Sequence, residues 1–385
     1  MLERRVQGTV PEKPHLRART PDGEPLYEEC LTRAGFDGPF SMLYRQHRPH
    51  EAEPDAVNAA FAAPERASDG KLLRRHYRSR DVAERATPAE ARTALLVNAD
   101  VTIGCARPTG PDATYFVNAE GDELFFVLEG SGVVRSPFGD LPFRAGDYVG
   151  VPKGVLHRIL PTAGERQAWL WLEFRGALAV PARYRNAVGQ LRMDAPYSHR
   201  DFRAPALTAP RDEGLRGLVV KRRGAWHGFR LAHSPLDVLG WDGAVYPFVF
   251  PILAFSPRVG QVHLPPPVHA TFEAPGALVC SFVPRPLDFH PQANPVPYPH
   301  SSVDVDEVLF YANDAFTSRQ GIEAGSLSHH PAGIAHGPHP GAYENQPLEP
   351  LTREIAVMLD CSSPLDPTTA ARAIEDPHYH ASFRA

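Results

Sequence analysis

The sequence is poor in cysteine. Cys30, Cys105, Cys280 and Cys361 are scattered over 385 residues with no metal-knuckle spacing. That argues against a disulfide-stapled fold or a thiolate zinc site, and predicts the reduced, structural thiols of a cytoplasmic protein. Long apolar runs are missing too, so no membrane span is expected. The opening residues MLERRVQGTVPEKPH hold no apolar stretch of the secretory kind. Positive charge is not in excess: 40 Lys and Arg stand against 45 Asp and Glu, a net charge of −5. Nucleic-acid binders usually carry a basic patch, so neither nucleic acid nor membrane is an expected partner.

Helical periodicity is also scarce, and proline takes its place. The 41 prolines are about double the usual share of ~5%. From about residue 100 the chain breaks into short apolar runs such as "ATYFVN", "ELFFVLEGSGVVRS", "LPFRAGDYVGVP" and "AWLWLEFRG", split by Gly, Pro or Asp. The texture returns from about 236 in "PFVFPILAFSP", "ALVCSFVP", "EVLFYAND" and "EIAVMLDC". Such spacing is that of antiparallel β-barrels. The expected class is all-β with minor helix: an N-terminal extension, 1–98, packing on the barrels; a first β domain, 99–180; a charged bridge, 181–235; a second β domain, 236–362; and a tail, 363–385. One short helix is expected near "TPAEARTALL", with Thr87 as N-cap, Pro88 at its first position and Glu90 as capping-box partner.

An internal repeat relates the two β domains. "GDYVGVPKGVLH" (146–157) and "GSLSHHPAGIAH" (325–336) share glycine, five residues, proline, one residue, glycine, two residues, histidine. Upstream of each lies a glutamate, Glu123 and Glu307. The glutamate-to-histidine spacing is 34 in the first copy and 29 in the second, a loop difference that costs little. The stretch "GSLSHHPAGIAHGPHP" concentrates histidines where no helix can run, so it reads either as a metal-binding corner or as a solvated histidine loop.

The repeat resembles the two motifs of the cupin superfamily, which implies a bicupin. In the second copy His300, Ser302, Glu307 and His336 fill the motif slots. In the first copy Phe116 and Asn118 stand in the His-x-His slots, and only Glu123 and His157 remain, which implies a retained fold without a complete metal site. A narrower resemblance, carried by "GFDGPFSMLYRQHRP", "PPPVHATFE", "CSFVPRPLDFHP", "VPYPHSSVDVDEVLFY" and "HHPAGIAHGPHPGAYE", is to the homogentisate 1,2-dioxygenase family, in its shorter bacterial form. It implies Fe(II) held by His300, Glu307 and His336, an aromatic substrate and O₂ as partners, and trimers or hexamers. Two departures matter. The family's longer form places the glutamate where this chain has Asp306, whereas the cupin spacing and the match to Glu123 select Glu307. The longer form also has a Trp-His-Gly segment proposed to supply the base; here it is Trp241-Asp242-Gly243.

Two imidazoles and one carboxylate on one face of a metal leave about three positions open for a chelating substrate and O₂. The resemblance implies that homogentisate binds through a ring hydroxyl and its acetate arm and opens to maleylacetoacetate. The expected base is Asp242, His269 or His263. His330 is expected to hydrogen-bond substrate or oxygen. Tyr311, His336 and His339 are the candidate substrate contacts, although "PHP" around His339 also serves to stiffen a turn. Asp304, Asp306 or Glu344 is expected to orient a ligand histidine. Competing readings are a cupin dioxygenase for another hydroxylated aromatic, such as gentisate, and a non-catalytic metal-holding bicupin.

Overall fold

A computed structural model describes residues 3–57, 64–67, 69–294, 296–316, 318–342 and 350–384. Nearly all regular structure in it is β, as expected, with two short α-helices, Pro88–Ala91 and Thr369–Ala373. Two large sheets dominate. The first has seven strands in the order Phe248–Pro251, Asp147–Val151, Asp122–Glu129, Ala168–Phe174, Val101–Ala106, Thr93–Val97 and Asp366–Pro367. The second has six: Ala270–Ala274, Ala277–Phe282, Ala356–Cys361, Asp306–Tyr311, Ser326–His330 and Arg75–Arg78. Each is the main wall of one β-barrel.

Alternation along the strands assigns their faces. In Asp122–Glu129, Phe125 and Val127 belong to a core shared with Trp169, Trp171 and the three-stranded sheet through Val134, Leu141 and Ile159. Leu124 and Phe126 point the other way, into a core that also holds Val308, Phe310, Val357 and Leu359 of the second sheet. The Phe126 and Phe310 rings meet edge to face, 6.2 Å between centroids. Tyr148 and Ser281 share a hydrogen bond of 2.8 Å across the same interface. The two barrels therefore share one apolar layer, and burying both faces of each sheet accounts for the near-continuous apolar strands.

Strands cross the limits drawn from sequence. Thr93–Val97, Phe248–Pro251 and Asp366–Pro367 all join the first sheet, and Arg75–Arg78 edges the second. The stretch 181–235 supplies Gly217–Arg222 and Ala225–Leu231 to a four-stranded sheet with Ala52–Asp55 and Tyr115–Asn118. Long-range pairing, which local composition does not encode, makes these exchanges.

The helix at Pro88–Ala91 is a single turn. The Thr87 hydroxyl accepts the Glu90 N–H at 3.3 Å, and the Arg92 C-cap is already extended. Removing this cap by Thr87→Ala is expected to cost about 1 kcal/mol, read as a lower urea midpoint with unchanged slope.

Candidate metal centre

The repeat seen in the sequence is a repeat of geometry. Asp306 and Glu307 open the strand Asp306–Tyr311, just as Asp122 and Glu123 open Asp122–Glu129. The aspartate of each pair pins the chain. Asp122 accepts the N–H groups of Lys153 and Leu178, each at 2.7 Å. Asp306 accepts those of Ala332 and Leu365 at 2.8 and 2.9 Å. Lys153 and Ala332 each follow the motif proline, so each aspartate fastens the Pro-x-Gly corner to its strand. The corner glycines, Gly154 and Gly333, both sit at φ +86°, a conformation glycine adopts without a Cβ penalty. The corner then returns the motif histidine to a matching bridge: Phe116 pairs with His157, and His300 with His336.

In the second barrel the outcome is a donor triad. His300, Glu307 and His336 bring their ligand atoms within 4.8 Å of one another. The Glu307 carboxylate lies 3.8 Å from His300 Nε2 and 3.5 Å from His336 Nε2. Ligand bonds of ~2.1 Å at right angles put donors ~3 Å apart, so a small contraction around a cation closes the set. Both histidines present the correct nitrogen. Nδ1 of His300 faces the Tyr298 carbonyl at 3.2 Å, and Nδ1 of His336 the Ile334 carbonyl at 3.3 Å. Those bonds place the proton on Nδ1 and leave the Nε2 lone pair for a metal. His336 Nε2 is buried without any hydrogen-bond partner, which is costly unless something binds there. Burial opposes the charge of Glu307, yet the three surrounding histidines, with His330 hydrogen-bonded at 2.8 Å, hold its carboxyl well below the usual range. The residues present therefore fit a divalent metal. Asp306 is spent on the corner and on His329 at 3.0 Å, so it is Glu307 that faces the histidines.

The first barrel answers the same geometry differently. His157 again turns Nδ1 to the carbonyl two residues back, Val155, at 3.0 Å, and its Nε2 is again buried and unpartnered. Glu123, however, faces a guanidinium. Arg92 donates Nε at 2.7 Å and Nη2 at 3.2 Å to its two oxygens, and Trp171 Nε1 adds a bond of 2.9 Å. Arg92 also lies over the Phe116 ring, 4.6 Å from its centroid. Burial alone would raise the Glu123 carboxyl, but the Arg92 charge holds it below its ordinary value. Burial, with Arg92 adding to it, pushes His157 down to about 4. A permanent internal cation takes the carboxylate here. One other cluster among the described residues, His47, His233 and Asp237, has metal-like spacing; there Asp237 is already held by Arg45 at 2.7 Å.

Beside the triad opens a cavity of about 690 Å³, within the range of small-molecule sites. Glu307, Leu309 and Tyr311, on one face of their strand, line it, as do His263 and His269. His300 lines it too, whereas His330, His339 and Asp242 do not. His330 is fully buried, with Nδ1 on Glu307 at 2.8 Å and Nε2 on the Tyr379 hydroxyl at 3.2 Å. It buttresses the carboxylate and has no ring nitrogen left for substrate. His339 stacks on Phe383 with centroids 4.1 Å apart and bonds Ser382 through Nε2 at 2.7 Å. Asp242 is paired with Arg4 in the sheet formed by Arg5–Gly8 and Val238–Gly243 and does not line the cavity. Sheet pairing carries Asp242 off the site, while His330 and His339 are spent on partners behind it. Of the residues expected to orient a ligand histidine, Asp306 serves the corner, Glu344 lies outside the described residues, and backbone carbonyls do the orienting.

Sequence reasoning passed over Asp122, Asp306 as a corner pin, Arg92, Tyr379 and Arg319. Only the aspartates left a usable signal, since each precedes the repeat glutamate.

Comparison with known proteins agrees with this geometry. The family described as Homogentisate 1,2-dioxygenase N-terminal matches residues 106–252. A protein of Saccharolobus solfataricus named "Putative dioxygenase" is 31% identical over 98% of this chain and 98% of its own. The Homogentisate 1,2-dioxygenase of Nitrobacter hamburgensis is 28% identical over 65% of this chain and 58% of its own, and that of Bradyrhizobium diazoefficiens 27% over the same shares. Against those two enzymes the chain thus spans little more than half of their length. Among solved structures, a cupin 2 conserved barrel domain protein from Leptotrichia buccalis aligns with 79% of this chain and 100% of its own at 10% identity, with a TM-score of 0.32, too low to bear an argument. The near full-length relative places the chain: it belongs to the family of that named dioxygenase, and its residues 106–252 match the homogentisate 1,2-dioxygenase N-terminal family.

Proposed function

We propose that this protein is an Fe(II)-dependent dioxygenase that opens the ring of homogentisate, adding both atoms of O₂ to give maleylacetoacetate. The observation that carries the reading is the open triad beside a ligand-sized cavity: two imidazole nitrogens and one carboxylate, with His336 Nε2 buried and unpartnered. In this reading His300, Glu307 and His336 hold the metal, and His330 and Tyr379 fix the Glu307 carboxylate from behind. Bound there, Fe(II) supplies the one-electron chemistry by which O₂ reacts with an aromatic ring.

The remaining work falls to the cavity wall. A base must reach the phenol proton. His263 suits this best among the expected residues. It lines the cavity, its charge is coupled to that of His300, and burial lowers its pKa so that it rests neutral. Asp288, 3.9 Å away, favours by its charge the imidazolium that forms. His269, pushed to about 3 by burial with Arg285 and His263 adding to it, serves as a neutral wall beside Phe282, 5.2 Å between ring centroids. Tyr311, with its hydroxyl on Ser328 at 3.0 Å, supports the ring of the substrate.

The test is oxygen consumption. Protein reconstituted with Fe(II) is expected to take up one O₂ per homogentisate with the rise of ring-opened product absorbance. Chelation should abolish the uptake, and added Fe(II) should restore it. Iron-loaded protein that consumes no oxygen, or stripped protein that still does, would defeat the proposal.

A further inference from the structure

The cavity wall is unusually rich in arginine. Arg258, Arg285, Arg319 and Arg353 line it. Arg285 is engaged, with Nη1 on the Val283 carbonyl at 3.2 Å and Nη2 3.7 Å from Glu354. Arg258 is bonded to the Asp194 carbonyl and lies 4.0 Å from its carboxylate. Arg319 differs: its Nε and Nη1 are buried and have no hydrogen-bond partner. Burial works against its charge, but Tyr311, Tyr379 and Glu307 outweigh that, so it stays cationic beside the triad.

The backbone around Arg319 is held in place. His339 N–H donates to the Ser318 carbonyl at 2.9 Å, and Gln320 N–H donates to His339 Nδ1 at 3.4 Å. His339 therefore clamps the residues on both sides of Arg319, which gives that motif histidine a role away from substrate. A buried guanidinium with idle donors is costly to maintain, and an anion brought to the edge that Nη1 shares with Nη2 removes part of the cost. The planar fork matches a carboxylate in a bidentate fashion. Glu307, the acid whose charge acts on it, already faces three histidines.

We infer that Arg319 recognises the carboxylate of an arylacetate substrate and selects the acid over neutral hydroquinones. This rests on the reading of the triad as the site of aromatic ring opening, and it assigns the acetate arm a partner on the protein. The ring hydroxyl then faces the triad and the arm faces the guanidinium, which sets which ring carbon lies toward the metal.

The experiment compares homogentisate, its methyl ester and methylhydroquinone on the iron-loaded protein, by anaerobic binding calorimetry and by kcat/KM. Wild type is expected to favour the acid over the ester by roughly 100-fold. Arg319→Gln should weaken binding of the acid by a similar factor, leave the ester within about threefold, and so erase the preference. Arg319→Lys, which keeps the charge but not the fork, should restore part of it. Wild type that binds acid and ester alike, or Arg319→Gln that loses both equally or keeps the preference, overturns the inference. Because binding is read without oxygen, a protein that selects the acid but consumes no O₂ upholds Arg319 while defeating the proposed reaction.

Discussion

Glu307→Gln is expected to leave a folded protein without metal. The substitution keeps the shape of the side chain and a carbonyl oxygen within reach of His330, which lies 2.8 Å from the native carboxylate. It removes the only negative charge in the triad. Two neutral imidazoles then face the cation alone, and the hydrogen bonds that hold Glu307 ionised have nothing charged to stabilise. Losing several kcal/mol of metal-derived stabilisation corresponds to on the order of 10³-fold or more in rate. Metal content after dialysis and oxygen uptake should fall together, while circular dichroism and melting temperature shift little. Stoichiometric iron in E307Q would show that the carboxylate is not a ligand. Asp306→Asn offers the contrast. Asp306 pins Ala332 and Leu365, so its loss should act first on stability.

The other large effect belongs to the first barrel, and it is one of stability. Glu123 and Arg92 are 0% and 4% exposed at the side chain. Glu123→Ala strands the guanidinium and also strips Trp171 Nε1 of its acceptor. Removing one partner of such a pair costs about 3–5 kcal/mol, because the other charge stays buried and uncompensated. The double variant Arg92→Met with Glu123→Leu is expected to recover most of that loss, giving a strong positive coupling in a double-mutant cycle. Urea unfolding measures both. Iron content per chain should not change in the double variant, since Arg92 stands where a metal would otherwise meet Glu123. A drop to half would mean that the first barrel also binds metal.

The two predictions act on equivalent strand positions with opposite consequences, and the sequence shows why only in part. Both glutamates follow an aspartate and precede a Pro-x-Gly-x-x-His corner, so their equivalence is visible in the text of the chain. The missing histidines at Phe116 and Asn118 already argue against a metal in the first copy. The replacement cation was not visible. Arg92 lies 31 residues before Glu123, just past a single helical turn, and nothing in its surroundings marks it from the chain's other arginines.

Asp242 illustrates the reverse error. Its position in a Trp-x-Gly segment suggested chemistry, yet register sets Asp242 against Val6 on one side and Met42 on the other. Arg4 takes its charge, and its strand lies outside the sheet that carries Glu307. The choice among Asp242, His263 and His269 turned on which side chains reach one cavity, a question of strand pairing.

By itself, then, the sequence determined the β class, the doubling of the barrel and the grouping of His300, Glu307 and His336 as a candidate donor set. Those signals are local: short apolar runs, proline and glycine at corners, and fixed spacing within a hairpin, each encoded within a few dozen residues. Only the tertiary structure decided which strands cross between barrels, that Arg92 neutralises Glu123, that His330 and Tyr379 back Glu307, and that Arg319 faces the cavity with idle donors. These are pairings of charges and hydrogen bonds between distant segments. Their energy depends on burial and on distances of a few ångströms, and spacing along the chain constrains neither.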